Sequence, residues 1–369
     1  MRDFVHESAA VRVVFGVGTR AQVATEVERL GCRRVLIIHG RHEASYADEI
    51  EADLGGRAVG RFTDIAMHVS PATADAARAA AELAGANLLL VVGGGSAVGT
   101  AKAVALTTSL PILAVPTTYA GSEMTSIWGL TDGGRKTTGR DQRVQPRTVV
   151  YDPEVTVSLP AEVSAASGMN AVAHLVEALY APGASPLLAV AAQDGIRALA
   201  AGLPHVVARP HDLEARSDAL AGAWLAGWAL GIATMGVHHK ICHVLGGTWQ
   251  LPHAATHAAV LPFATAFNAA AAPAAMERIR RALADAGRPA ESAAGGLWDL
   301  ATAIGAPTSL AAVGFSADSV DEAARSVVDS TPIHPREVDE PGVRRLLLAA
   351  IAGERPGAAR TDPDGSSGT

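Results

Sequence analysis

At Asp152-Pro153 the sequence changes its pattern, and the change limits the possible folds more than any other feature. Before it, apolar runs recur at intervals: VRVVFG (11–16), RVLIIHG (34–40), NLLLVVGGG (87–95), PILAVP (111–116) and TVVYD (148–152). They are short, β-rich and apolar on consecutive residues, as in strands buried on both faces of a parallel sheet. Alanine-rich helical stretches, notably Ala72 to Ala84 and Ala97 to Leu106, lie between them. Alternating strands and helices specify an open α/β sheet. From about Pro160 to Ala352 the pattern is helical, with turns marked by Pro182-Gly183 and Pro204. The expected organisation is an α/β domain with a parallel sheet over 1–157 and an all-α domain over 158–353. Residues 354–369, ERPGAARTDPDGSSGT, read as a disordered polar tail.

Composition excludes several classes of function. The 369 residues are 49% hydrophobic and 18% charged, which suits a packed globular protein. A net charge of −7 argues against nucleic acid as the main partner. Cys32 and Cys242 form no CxxC pair, and the N-terminus MRDFVHESAAVRVVFG has charges where a signal peptide needs an apolar run. A cytoplasmic location is therefore expected. Ala219 to Val237 carries no charge and contains GWALG, a small-xxx-small motif of membrane helices. Its low content of Leu and Ile fits a helix buried inside the all-α domain better than a membrane span.

Two turns in the first half point to a ligand. Gly93-Gly94-Gly95-Ser96 follows a buried strand and opens a helix, so the backbone can approach a pyrophosphate and the helix N-terminus can offer N–H groups to it. Alone, this is also what a tight strand-to-helix turn looks like, and it is not a GxGxxG fingerprint. A second polar turn, PTTYAGSE (116–123), follows the next apolar strand. In an open parallel sheet both turns lie at the carboxyl ends of strands, where ligands bind.

The second half carries five of the chain's 13 histidines between Gly236 and His257, in GVHHKICHVLGGTWQLPHAATH. Upstream, GMNAVAHL places Asn170 and His174 four residues apart, on one helix face. GLTDGGRKTTGRDQR (129–143) reads as an exposed loop in which Arg135, Lys136, Arg140 and Arg143 form a basic cluster. Nothing marks Cys242 as a nucleophile.

GGGSxxxxxK (Gly93 to Lys102), PTTYAGSE and the histidine stretch together resemble the iron-containing alcohol dehydrogenase family, over about residues 8 to 353. The resemblance implies a dinucleotide domain and a helical domain with a cleft between them. It implies that Gly93, Gly94, Gly95 and Ser96 hold the cofactor pyrophosphate and that Thr117, Thr118 and Ser122 line the cofactor site. The acidic residue that many relatives carry near the adenine ribose is His39 here, so NADH and NADPH both stay open. The family's metal is held by Asp and His of a DxxxH helix and two later histidines. The matching positions here are Asn170, His174, His239 and His253. An amide oxygen is a weak ligand for Fe²⁺ or Zn²⁺, so no obligatory metal is expected.

The blocks GMNAVAHLVEALYA, GVHHKICH, GGTWQLPHAATHAAVLP and TYAGSEMTSIWGLTDGGRKTTGRD are similar to a narrower subgroup, the maleylacetate reductases, which also carry Asn at that position. This implies reduction of a conjugated C=C bond in a small dicarboxylate enone, with 3-oxoadipate as product, by a homodimer. His243 and His253 are then the central polar groups, with His239 and His174 beside them. Lys240 is a candidate carboxylate anchor, and Tyr119 a further residue within reach of substrate. A metal-dependent alcohol or polyol dehydrogenase of the same fold, or a related enone-acid reductase, remains the alternative.

Overall fold

A computed structural model describes residues 4–357 apart from 67–68, 134 and 330–334, and the side chains of Arg135 and Lys136. Most of the tail expected after residue 353 lies outside the described residues.

The first half builds a parallel sheet from β1 (Arg12–Phe15), β2 (Val35–His39), β3 (Ala58–Phe62), β4 (Leu88–Gly93), β5 (Ile112–Pro116) and, after a hairpin, β8 (Thr148–Tyr151), in the order β1-β8-β5-β4-β2-β3. Between them run α1 (Val23–Arg29), α2 (Ala44–Leu54), α3 (Pro71–Leu83) and α4 (Gly95–Thr108). The continuous apolar runs have a direct cause: both faces are covered. Leu36, Ile38, Leu89, Val91, Ile112 and Ala114 join the core on one side. Their neighbours Val35, Ile37, Leu88, Leu90, Leu113 and Val115 join the core on the other. β3 escapes a reading by apolar runs because it is a half-buried edge strand with Gly60 and Arg61 inside it.

The segment expected as an exposed basic loop is instead an antiparallel hairpin, β6 (Ile127–Asp132) and β7 (Arg135–Arg140). Gly139 makes it possible: a Cβ there would stand 2.7 Å from the indole of Trp128. Arg140 and Arg143 do not converge as a cluster. Arg140 donates to the Gly231 carbonyl at 2.7 Å, whereas Arg143 pairs with its neighbour Asp141.

From Ala161 onward the elements are helical: α5 (Ala161–Tyr180), α6 (Pro186–Ala208), α7 (Leu213–Ile232), α8 (Val237–Thr248), α9 (His253–Asn268), α10 (Pro273–Asp285), α11 (Ala293–Ala303), α12 (Val320–Val328) and α13 (Glu340–Ala352), joined by turns and short 3₁₀ segments. The two halves do not keep separate cores. One hydrophobic cluster runs from β2, β4 and β5 through Tyr119, Met124 and Tyr151 into α5, α6 and α7. A second cluster joins α8, α9, α12 and α13.

The uncharged stretch is mostly α7. Among the described residues no single helix is long and apolar enough to cross a membrane; α7 and α8 pass that test only as a pair bent by 93°. The glycines of GWALG serve a local purpose. A methyl on Gly227 would stand 2.6 Å from the Gly121 carbonyl oxygen, and one on Gly231 would stand 3.2 Å from that of Met124. α7 therefore packs directly on the backbone of the turn after β5.

Candidate active site

The GGGS turn and the PTTYAGSE turn meet at the carboxyl ends of β4 and β5. Gly94 caps α4, and a Cβ there would lie 2.8 Å from the Thr118 methyl. Gly93, at φ 159° and followed by the first turn of α4, has no room for a side chain beside Ala97. Gly95 is exposed and Ser96 half-buried, which leaves the start of α4 open to a ligand. Lys102 fixes the second turn from behind. Its buried ammonium donates to the carbonyls of Ser122 (2.6 Å), Thr125 (2.7 Å) and Ile127 (2.8 Å). Burial lowers its pKa to about 7. Thr118 and Ser122 are half-buried on this surface, and the Thr117 hydroxyl donates to Glu43 at 3.2 Å.

The histidines come from three helices, each presenting residues four apart on one face. α5 gives Asn170 and His174, α8 gives His239 and His243 with His238 alongside, and α9 gives His253 and His257. Ring centroids lie 5.0 Å apart for His174–His239, 4.8 Å for His239–His257, 4.3 Å for His253–His257 and 6.4 Å for His243–His253. Burial divides them. His174, His238, His239 and His257 are buried, while His243 and His253 are exposed. The two turns and the histidines belong to one site: a Cβ on Gly121 would lie 2.9 Å from Gly227 Cα and 3.5 Å from His174 Nδ1.

Glu177, one turn beyond His174 on α5, is a member of the site that spacing did not reveal. Its fully buried carboxylate accepts the backbone N–H of Gly236 (3.0 Å) and His238 (3.0 Å) and His239 Nδ1–H (2.6 Å). Gly236 has no side chain with which to cap α8, so the cap comes from another helix. Burial pushes the Glu177 carboxyl upward, and His238 with the α8 N–H groups pulls it back. For His239 the bond fixes the tautomer, leaving Nε2 as the open nitrogen.

Burial, followed by the neighbouring histidines, holds His174, His239 and His257 well below the usual pKa of 6.5. They stay neutral in the fold and take up protons on unfolding, so their contribution to stability is lost as pH falls below about 6.5. The slope is about 1.4 kcal/mol per pH unit for each histidine. Glu177, raised by burial, gains its proton earlier in the fold than in the unfolded chain and offsets part of this at the acid end. Urea midpoints at pH 7.5 and 5.5 are expected to show a marked loss of stability at 5.5. Equal midpoints would contradict the buried neutral set.

Two of the expected site residues, Tyr119 and His39, are placed otherwise than anticipated. Tyr119 is fully buried and its hydroxyl takes a 3.3 Å hydrogen bond from Arg216, so it supports the turn from inside the core instead of contacting substrate. His39 is only 3% exposed and its Nδ1 bonds the Gly40 carbonyl, so it does not face a ribose. Lys240 is half-buried on α8, where burial lowers its pKa. A cavity of about 570 Å³ opens elsewhere, lined by Glu7, Ser126, Arg140, Gln145 and Trp228, and no histidine lines it.

The donor set tests the family's metal. Among the described residues, Asn170 Oδ1, His174 Nδ1, His239 Nε2 and both His257 nitrogens are buried without a hydrogen-bond partner. His238, His239 and His257 each offer one ligand atom, all within 4.8 Å of one another. Three histidines can hold Zn²⁺. These donors are all neutral, however, and the carboxylate beside them, Glu177, is taken by the α8 backbone and His239. The residues fit a weakly held divalent ion, without the anionic ligand that a tight site would use.

A dinucleotide-type crevice joined to a helical histidine site defines an oxidoreductase architecture, and comparison with known proteins agrees. Residues 10–153 match the family model "Iron-containing alcohol dehydrogenase", and residues 164–351 match "Fe-containing alcohol dehydrogenase family, C-terminal". The chain belongs to the iron-containing alcohol dehydrogenase family. Within it, the chain is 49% identical to the maleylacetate reductase of Sphingobium indicum, over 96% of this chain and 99% of that protein. Among solved structures it is similar to a putative alcohol dehydrogenase from Ralstonia eutropha, with a TM-score of 0.93 and 50% identity over 96% of this chain and 100% of the other. It is also similar to the maleylacetate reductase of Agrobacterium tumefaciens, with a TM-score of 0.92 and 42% identity over 96% and 100%.

Proposed function

We propose that this chain is a maleylacetate reductase, an NAD(P)H-dependent oxidoreductase that reduces the C=C bond of maleylacetate to give 3-oxoadipate. The observation that carries the reading is the division of the histidines: a buried neutral set beside the cofactor turn, and two exposed rings, His243 and His253, beyond it. The likeness to maleylacetate reductases over nearly the whole chain supports it.

The start of α4, with Gly94, Gly95 and Ser96, would hold the pyrophosphate, and Thr118 and Ser122 would border the nicotinamide half. A nicotinamide held there would supply the hydride, whose acceptor is the alkene carbon β to the ketone. The alkene electrons then move through the conjugated system onto the ketone oxygen. His243 and His253 are the groups open to that oxygen. As hydrogen-bond donors they stabilise the enolate, and one of them delivers the proton to the α carbon, which closes the balance. The buried histidines orient the pair and exclude water. Chlorinated maleylacetates fit the same chemistry.

An enone can be reduced with hydrogen-bond donors at its oxygen, whereas alcohol oxidation gains from a metal that acidifies the hydroxyl. The Asn170 substitution suits the first. The convergence of His238, His239 and His257 favours the second reading, a metal-dependent alcohol dehydrogenase. NADH oxidation with maleylacetate, with and without a strong chelator, decides between them. The proposal expects turnover that survives the chelator. Activity lost to the chelator and restored by Zn²⁺ or Fe²⁺ would support the second reading.

A homodimer belongs to the same proposal. Among the described residues β1 pairs only with β8, and Phe15 and Val17 are exposed at this sheet edge, an apolar strip that a second copy would cover.

A further inference from the structure

We infer that Glu43 sets the choice of cofactor, its carboxylate accepting the ribose 2′-hydroxyl of NADH and rejecting the 2′-phosphate of NADPH. The inference rests on the dinucleotide reading above and deepens it. In open parallel sheets a carboxylate near the end of the second strand pairs with the ribose hydroxyl, and an arginine in its place takes the phosphate. By sequence position that residue is His39, which the fold buries.

The chain leaves β2 through Gly40 and a short 3₁₀ turn, Arg41–Glu43. From there the Glu43 side chain folds back over the strand end: a Cβ on Gly40 would lie 2.7 Å from Glu43 Oε2. Its other oxygen accepts from the Thr117 hydroxyl, just past the end of β5. β4, with the GGGS turn at its end, lies between β2 and β5. The carboxylate therefore reaches across the mouth of the crevice, half-buried, and replaces in space the acid missing at position 39. One hydroxyl donor leaves a carboxylate with open acceptor sites. Among the described residues no Lys or Arg pairs with Glu43. Two ribose hydroxyls can donate to it, while a phosphate brings only negative charge.

Arg41 and His42 lie exposed on the same turn, and a phosphate held by Arg41 is the competing arrangement. The test measures equilibrium binding of NADH and of NADPH by nicotinamide fluorescence, without enone, for the wild type, Glu43→Gln and Arg41→Ala. The expected wild type binds NADH about tenfold or more tighter than NADPH, a free-energy difference of about 1.4 kcal/mol. Glu43→Gln, which keeps the acceptor for Thr117, is expected to bring the two affinities within about threefold, chiefly by gaining NADPH. Arg41→Ala is expected to leave the preference in place. A wild-type preference for NADPH, or a ratio unmoved by Glu43→Gln at an unchanged melting temperature, overturns the inference alone. Failure of the wild type to bind either dinucleotide overturns the dinucleotide reading and this inference with it.

Discussion

Glu177→Ala is expected to lower the turnover number for maleylacetate by about 100-fold or more and to cost over 3 kcal/mol of stability. The carboxylate satisfies buried N–H groups at the start of α8 and fixes the His239 ring. Alanine leaves those donors without partners in a site closed to water, at about 1–3 kcal/mol each. It also frees His239 to rotate and α8 to shift, which carries His243 away from its working position. Glu177→Gln separates the two effects. The amide oxygen can still accept from α8, but the NH₂ group confronts a second donor, so stability recovers in part while the His239 tautomer is no longer imposed. NADH binding, made on the other side of the cleft, should change little in either variant. Urea unfolding, steady-state kinetics and NADH fluorescence check the three quantities. Full activity in Glu177→Ala would show that α8 holds its position without the carboxylate.

Removing the two open rings is the second large effect. His243→Ala and His253→Ala are each expected to reduce the turnover number by about 10²- to 10⁴-fold, the usual contribution of a positioned proton donor or enolate stabiliser. The double variant should fall little below the worse single one, because groups that act on the same oxygen and proton lose their effect together. The KM for NADH should hold steady. Both side chains are exposed, so the fold should tolerate their loss, and an unchanged melting temperature would confirm that the kinetic effect is chemical. The variant that abolishes the basic or acidic limb of the pH profile identifies the proton donor. Near-normal turnover in both would move the chemistry to other residues.

The fold was legible in the sequence wherever burial is simple. Strands covered on both faces appear as unbroken apolar runs, and β2, β4, β5 and β8 were read from them directly. The edge strand β3 and the hairpin β6–β7 were missed because they are half-exposed, and their composition follows solvent and local packing more than a buried face. The histidines stood out by density and by i, i+4 spacing. Their division into an inner and an outer set did not, because burial at α8 and α9 depends on how α5 lies across them. Glu177 had no signal of its own: a single Glu in an amphipathic helix is ordinarily a solvated side chain. Tyr119 and His39 sit at the expected places along the chain but point inward, because a residue in a turn or at a strand end can face the core or the crevice with the same sequence around it.

The cofactor turn meets α7 backbone to backbone at Gly121 and Gly227, beside the Arg216–Tyr119 hydrogen bond. Neither glycine has room for a side chain at this joint, so substitution there is disfavoured and the crevice stays close to His174. Acceptance of a new enone must then be obtained from the opposite wall, by changing the faces of α8 and α9. Libraries aimed at altered substrate range would best be confined there, leaving the hydride side of the cleft as a fixed reference surface.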